Sequence, residues 1–398
     1  MTILGAPLEF FLFGLTLAGV AVLHRQALPV ALGGMVVIAV YKLLGPGFHE
    51  GAGPAGLLAH VRGEWVLLAN LFLLILGFAV LSNQFELSRA PDAMPALLPD
   101  NWTGGLALLG MVFALSTVLD NIAGAVIGGV IARHVYRGQV SIGFLAAIVA
   151  ASNAGGAGSV IGDTTTTMMW IGGVPPLEVA SAFVASAVAF AVFGVAGALQ
   201  QHRFAPITAH RPPGLKVDVS RLVLVVVLLL ALVGTNLGVS LHAPELEHRL
   251  PALGLGLWAA ILATALWRRP DWGVLGPAVK GALFLAALVA AASMMPVENL
   301  PDPSWRTVFG LGGLSAVFDN IPLTALALAQ GGYDWALLAY AVGFGGSMIW
   351  FGSSAGVALT NLYPQGRSVT AWLRGGWHVP LAYVAGFAVL LALRGWSP

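Results

Sequence analysis

Leu115-Ser-Thr-Val-Leu-Asp120-Asn121-Ile122 recurs 199 residues later as Leu314-Ser-Ala-Val-Phe-Asp319-Asn320-Ile321, with six of the eight positions identical. Each copy sets a carboxylate beside an amide inside an apolar stretch. An ionisable side chain at membrane depth is costly, so its retention there points to function. Two copies in two halves of one chain point to a site built twice.

The surroundings fix the class. Of 398 residues, 58% are hydrophobic and 9% charged, which fits a polytopic membrane protein and no soluble globular class. The formal net charge of +1 gives no bias toward nucleic acid or acidic partners. The lack of cysteine excludes disulfides, thiolate metal sites and cysteine catalysis. No Gly-Lys-Ser/Thr phosphate loop and no dinucleotide fingerprint occurs, so direct nucleotide use is not expected and no cofactor is implied. Paired carboxylates could also serve an intramembrane enzyme, but repeated halves with interrupted spans suit a carrier, so an enzyme is not expected. The start, Met1-Thr2-Ile3-Leu4, lacks a basic leader, so the first apolar run is expected to be a retained span.

A crossing needs about 20 mostly apolar residues. On that measure spans are predicted near 4–23, 27–44, 65–83, 141–172, 177–200, 219–240, 251–268, 272–294, 335–362 and 377–394. Two further apolar segments, about 103–134 and 304–330, carry the Asp-Asn pairs near their middles. Their arms are short for a crossing, so they read as re-entrant hairpins, tolerated at depth where protein or water covers the backbone. A second match, Gly155-Gly156 with Gly162 and Gly345-Gly346 with Gly352, falls at the same place after each hairpin. The expectation is an all-α protein of about ten transmembrane helices plus two hairpins, divided into repeats 1–210 and 211–398. Five spans per half invert the second repeat relative to the first. The proline-rich connection from His202 to Ser220 is the predicted joint. Lys and Arg then distribute twelve to one face and five to the other, which places both termini on the non-cytoplasmic side.

The predicted fourth span of each half is too polar and glycine-rich for a continuous helix. In the first, Gly155, Gly156, Ser159 and Gly162 precede Asp163-Thr164-Thr165. In the second, Gly345, Gly346, Ser347 and Gly352 precede Ser353-Ser354, with Ser353 where Asp163 stands in the first. Unwound crossings free carbonyls for a cation, and carboxylate and hydroxyl oxygens suit hard cations. An Asp-Asn pair can also serve only as a helix N-cap, and membrane glycines can mark only close packing.

Together these strings resemble the ion transporter superfamily, most nearly its NhaD-type sodium/proton antiporter branch, and also compact proteins described as citrate transporters. The resemblance rests on Asp120, Asn121, Asn153, Gly155, Gly156, Gly162, Asp163, Thr164, Thr165, Asp319, Asn320, Ser347 and Ser353. One departure is Val160, where that branch usually has proline. The resemblance implies a homodimer in the plasma (inner) membrane, with a scaffold domain and an elevator-like transport domain. Asp120, Asp163 and Asp319 would bind Na+ or Li+ in exchange for H+, Asp120 and Asp319 as the principal exchange sites and Asp163 as a ligand or second proton carrier, with Asn121, Asn153 and Asn320 orienting the tips and donating amide oxygens. A sodium- or proton-coupled citrate or dicarboxylate carrier is the alternative. Three carboxylates at one site would repel an anionic substrate unless cations or protons compensate, which favours cation/proton exchange.

Overall fold

The computed structural model describes residues 2–3, 6–23, 26–208, 216–246 and 249–398. Part of the predicted joint, including Pro212 and Pro213, lies outside the described residues, as do Arg25 and Arg211 among the counted cations. Apart from a two-residue antiparallel pairing of Thr2–Ile3 with Ala6–Pro7, the described regular structure is helical.

In the first half run α1 (Leu8–Val22), α2 (Ala27–Leu44), α3 (Gly53–Leu87), the short α4 (Ala90–Ala93), α5 (Trp102–Ser116) and α6 (Asn121–Val135). They are followed by α7 (Ile142–Ala157), α8 (Thr164–Ile171), α9 (Pro176–Ala180) and α10 (Ala182–Phe204). The second half holds α11 (Val219–His242), α12 (Ala252–Ala265), α13 (Leu275–Ser293), α14 (Trp305–Ser315) and α15 (Asn320–Gln330). Beyond these lie α16 (Trp335–Gly345), α17 (Ser354–Leu362), α18 (Val369–Gly375) and α19 (His378–Arg394).

Five of the described helical segments are long and apolar enough to cross a membrane alone, and α18 with α19 makes a sixth if their 60° bend lies within one crossing. Other predicted spans correspond to shorter apolar helices or to pairs interrupted at a break. On α11, Val219, Val223, Val226, Leu230, Val233 and Leu237 are exposed at helical spacing, an apolar stripe suited to lipid. The third span was placed at 65–83, yet α3 is 35 residues long. The apolar window ends near the polar His60, Arg62 and Glu64, but nothing in their backbone chemistry stops a helix, which continues beyond hydrocarbon length.

Both Asp-Asn segments are helix–turn–helix elements. Helices α5 and α6 have 15 residues each, α14 and α15 have 11. At about 1.5 Å per residue none approaches the length of a roughly 30 Å hydrocarbon core. The two turns are built alike. Thr117, Val118 and Leu119 N–H groups donate to Ala114, Leu115 and Leu115 carbonyls, as Ala316, Val317 and Phe318 donate to Gly313, Leu314 and Leu314.

Contacts divide the chain into two compact units, each drawing on both sequence halves. One comprises Met1–Phe85, Ser220–Pro301 and Ala325–Gly331. Within it Asn70 accepts from the Gly254 N–H, and Lys42 donates to the Met294 carbonyl at 2.9 Å. The other comprises Glu86–Val219, Asp302–Thr324 and Gly332–Pro398, where α7 packs on α5, α10 and α16. Here the interrupted helices need their exposed N–H groups satisfied, and side chains do this. Asn101, Ser141, Asp163, Ser304, Asp334, Ser353 and Ser368 each accept a backbone N–H at a helix start.

Candidate functional site

All the candidate residues fall in the second unit. Both predicted interruptions are present: α7 stops at Ala157 and α8 starts at Thr164, and α16 stops at Gly345 and α17 starts at Ser354. Each break sets a helix end bearing free carbonyls beside a helix start bearing free N–H groups.

The glycines act differently from the expectation of a ligand-coordinating backbone. Gly155 and Gly156 lie within the last turn of α7, and Gly345 ends α16. A β-carbon on Gly155 would collide with the Phe113 carbonyl, and one on Gly345 with the Gly312 backbone. Close approach of the hairpin arm to the broken helix is what these positions require. Gly162 and Gly352 do lie in the breaks, against the Ser116 and Ala316 carbonyls. At the next level, Gly156 faces the Asp163 side chain and Gly346 the Ser353 side chain. Gly343 of α16 meets Ala157 of α7, with Asp163 Oδ2 close by, so the two broken helices pass each other at their breaks.

A chain of hydrogen bonds links the parts. Asn121 Nδ2 donates to Asp163 Oδ2 at 3.0 Å and to Asn153 Oδ1 at 3.2 Å. Asn153 Nδ2 in turn donates to Ser347 Oγ at 2.9 Å and Ser353 Oγ at 3.1 Å. Asn153 therefore joins the two breaks, and its oxygen is already occupied. Asp163 Oδ1 accepts from both the Thr165 N–H and the Thr165 hydroxyl, each at 2.9 Å. The neighbouring threonines pin the break: Thr166 donates to the Ser159 carbonyl and Thr167 to the Val160 carbonyl. Ser159 ties the break to the first hairpin through the Thr117 carbonyl. Thr165, expected as a cation ligand, donates its proton to Asp163 and so helps to hold that carboxylate.

Asp120 precedes α6 without a side-chain cap hydrogen bond; the Ile122 and Asn121 N–H groups are turned toward it. Asp319 is more firmly held, accepting from the Ile321 N–H at 3.1 Å and from Ser354 Oγ at 3.2 Å. Asn320 is 4% exposed, and its Nδ2 has no partner. Asp163 lies within electrostatic reach of both Asp120 and Asp319. The three carboxylates nonetheless do not form one cage: among the described residues no group of three Asp, Glu or His is arranged to hold a single ion.

Four further residues lie outside the expected set: Ser116, Ser152, Ser315 and Trp350. Ser116 and Ser152 hydroxyls are 2.9 Å apart, and Ser152 donates to the Asn121 carbonyl, which fixes the start of α6. Ser315, the counterpart of Ser116, donates to the Val342 carbonyl at 2.7 Å. Identity of this serine in the two copies was the available signal. Trp350 Nε1, buried without a partner in the second break, carried none.

The fold and this arrangement define an all-helical polytopic membrane protein whose polar centre lies at two helix interruptions. Comparison with curated proteins adds its kinship. The chain is 29% identical over 343 residues to sodium/proton antiporter 1 of Arabidopsis thaliana, a match covering 73% of this chain and 55% of that protein. It is 28% identical over 346 residues to the Na+/H+ antiporter NhaD of Vibrio parahaemolyticus, covering 73% and 82%. The Na+/H+ antiporter NhaD of Halomonas elongata is 25% identical over 380 residues, covering 82% and 76%. The chain thus spans about half the length of the Arabidopsis relative. No family profile matches it. The resemblance to NhaD-like sodium/proton antiporters drawn from the sequence motifs is borne out by these relatives.

Proposed function

We propose that the protein is a sodium/proton antiporter of the plasma (inner) membrane that accepts Na+ or Li+ and exchanges it for H+ at Asp120, Asp163 and Asp319. The observation that supports it most is the carboxylate of Asp163, held at a helix break by Asn121 and Thr165 within reach of two further carboxylates. A carboxylate binds a proton or a cation, so the two compete for it. Asp120, without a side-chain donor, and Asp163 form the principal exchange pair. Neutral oxygens complete the coordination: Asn121 Oδ1, the Thr164 hydroxyl and the carbonyl ends of the broken helices. Ser347, Ser353 and Asn153 align the two breaks.

In this reading residues 1–210 and 211–398 form inverted repeats, and both Asp-Asn hairpins are re-entrant. The unit carrying the site is the moving transport domain of an elevator-type cycle. The other unit is a scaffold through which two copies dimerise, and both termini are non-cytoplasmic. An ion gradient is the driving force.

The test is dequenching of a pH-sensitive dye in proteoliposomes with an inside-acid gradient, on addition of sodium, lithium, potassium or citrate. Proton efflux evoked by sodium or lithium in the wild type, and absent in Asp120→Asn and Asp163→Asn, is expected. Accumulation of labelled citrate with sodium, and no cation-evoked proton movement, would replace this reading with a carboxylate carrier.

A further inference from the structure

Away from the carboxylates, the second unit contains a cavity of about 690 Å3 where α7 begins, α10 ends and α18 runs past them. Its lining includes Ser141, Gly143, Gln200, Phe204, Thr370 and Arg374. The floor is tight: a β-carbon on Gly143 would strike both the Gln200 carboxamide oxygen and the Gly375 carbonyl. That Gln200 oxygen is buried and has no hydrogen-bond partner. A buried acceptor without a partner is unfavourable, and because Gln200 lines the cavity a turn of its carboxamide would offer that oxygen to a donor there. Above it Arg374 is exposed.

Charge around the cavity has one sign. Segments 133–143, 199–208 and 364–378 frame the lining and contain no Asp or Glu, while Arg137, Arg203 and Arg367 lie within three residues of lining positions. These arginines are exposed, and Arg367 also donates to Asn361 Oδ1 at 2.6 Å. The apolar candidate span Pro176–Phe204 ends at the cavity, so where that span crosses a bilayer the cavity lies near the headgroups. Val140, Ile142 and Phe204 supply apolar surface beside the polar groups.

We propose that this cavity binds a phosphate ester carrying a hydroxyl, the chemistry of an anionic glycerophospholipid headgroup. The phosphate pairs with Arg374 under the field of the surrounding arginines, and the hydroxyl donates to Gln200. Basic pockets between helix ends bind such headgroups, each basic side chain adding a modest increment. The assignment does not depend on which ion the protein exchanges.

Thermal melting and native mass spectrometry of the full chain in detergent test it, with short-chain phosphatidylglycerol titrated against phosphatidylcholine, glycerol 3-phosphate and inorganic phosphate. Saturable stabilisation and retained binding with phosphatidylglycerol are expected, weakened about fivefold in Arg374→Gln. Arg374→Lys should keep most of the binding. Arg306→Gln, which alters an arginine stacked on Trp305, controls for net charge and should leave binding unchanged. Equal binding of glycerol 3-phosphate would keep the phosphate-ester site and assign it to a soluble ligand. Equal stabilisation by phosphatidylcholine, by inorganic phosphate alone, or an unchanged titration in a folded Arg374→Gln protein would overturn the proposal.

Discussion

The two Asp-Asn pairs are the same in sequence and opposite in wiring. At the first, Asn121 Nδ2 donates twice and the carboxylate of Asp120 takes no side-chain hydrogen bond. At the second, the carboxylate of Asp319 is held by Ser354 and the Ile321 N–H, while the Asn320 Nδ2 is buried without a partner. The turns leading into the pairs have matching backbone hydrogen bonds, so the hairpins themselves do not make the difference. It comes from the break that each pair meets. Asp163 presents a carboxylate that accepts from Asn121, whereas Ser353 stands at the matching place and its oxygen already serves Asn153 and the Gly356 N–H. One acceptor group, kept in one half and lost in the other, separates the two amides, while the Ser354 hydroxyl separates the two carboxylates.

The most damaging way to erase this difference is Asp163→Ser, which makes the first break resemble the second. It removes a charge from the proposed exchange site and strips Asn121 of one acceptor. Cation-evoked proton movement in proteoliposomes should vanish, and the loss of a buried hydrogen bond should lower stability by about 1–3 kcal/mol in thermal or denaturant melts. Full transport with a normal melting temperature would show that the asymmetry has no consequence.

Next in size is the contrast between the two amides. Asn121→Ala breaks two hydrogen bonds and leaves Asp163 with one fewer donor; Asn320→Ala removes a side chain whose Nδ2 is already unpaired. Asn121→Ala should therefore be the more destabilising by about 2 kcal/mol, at roughly 1 kcal/mol per bond. Equal melting temperatures would refute the wiring described here. Where the halves are built alike, variants should behave alike: Gly155→Ala and Gly345→Ala each drive a β-carbon into facing backbone. Both should cost about 1–3 kcal/mol by overpacking, and a clear inequality between them would mean that the two arms are not seated equivalently.

The sequence carried the duplication, the breaks and the broad class because these depend on residue type and spacing along one chain. Asp120 and Asp319 stand at hairpin turns, as the motif spacing implied; that Asp163 and Ser353 cap the helices after the breaks emerges only from the backbone. Who bonds to whom was not readable, because partners such as Asn153 and Ser347 are 194 residues apart and meet through side-chain geometry. The threonine run shows the limit most plainly. Four identical residues in a row do not reveal which hydroxyls face the site; helical phase turns Thr165 to the carboxylate and Thr166 and Thr167 back to the carbonyls of the break. The glycines were read as freeing backbone for a cation, but Gly155 and Gly345 make room for a neighbouring helix.

The smallest effect is the sharpest test of the asymmetry. Thr164 and Ser354 each follow the residue that caps the helix after the break, and each bears a hydroxyl, but only Ser354 reaches the carboxylate of its hairpin. Ser354→Ala should cost about 1 kcal/mol, the contribution of one buried hydrogen bond. Thr164→Ala should stay within about 0.5 kcal/mol of the wild type in the ion-free protein. Sodium reverses the order. If Thr164 is a ligand, its loss shows only as weaker sodium-dependent stabilisation and a higher sodium requirement for proton efflux, while Ser354→Ala shifts the ion-free melting temperature. A double variant checks that the two act independently, since residues without shared partners should give additive shifts. Non-additivity would mean that the hairpin carboxylates are coupled through the breaks, and the two halves would then have to be treated as one site.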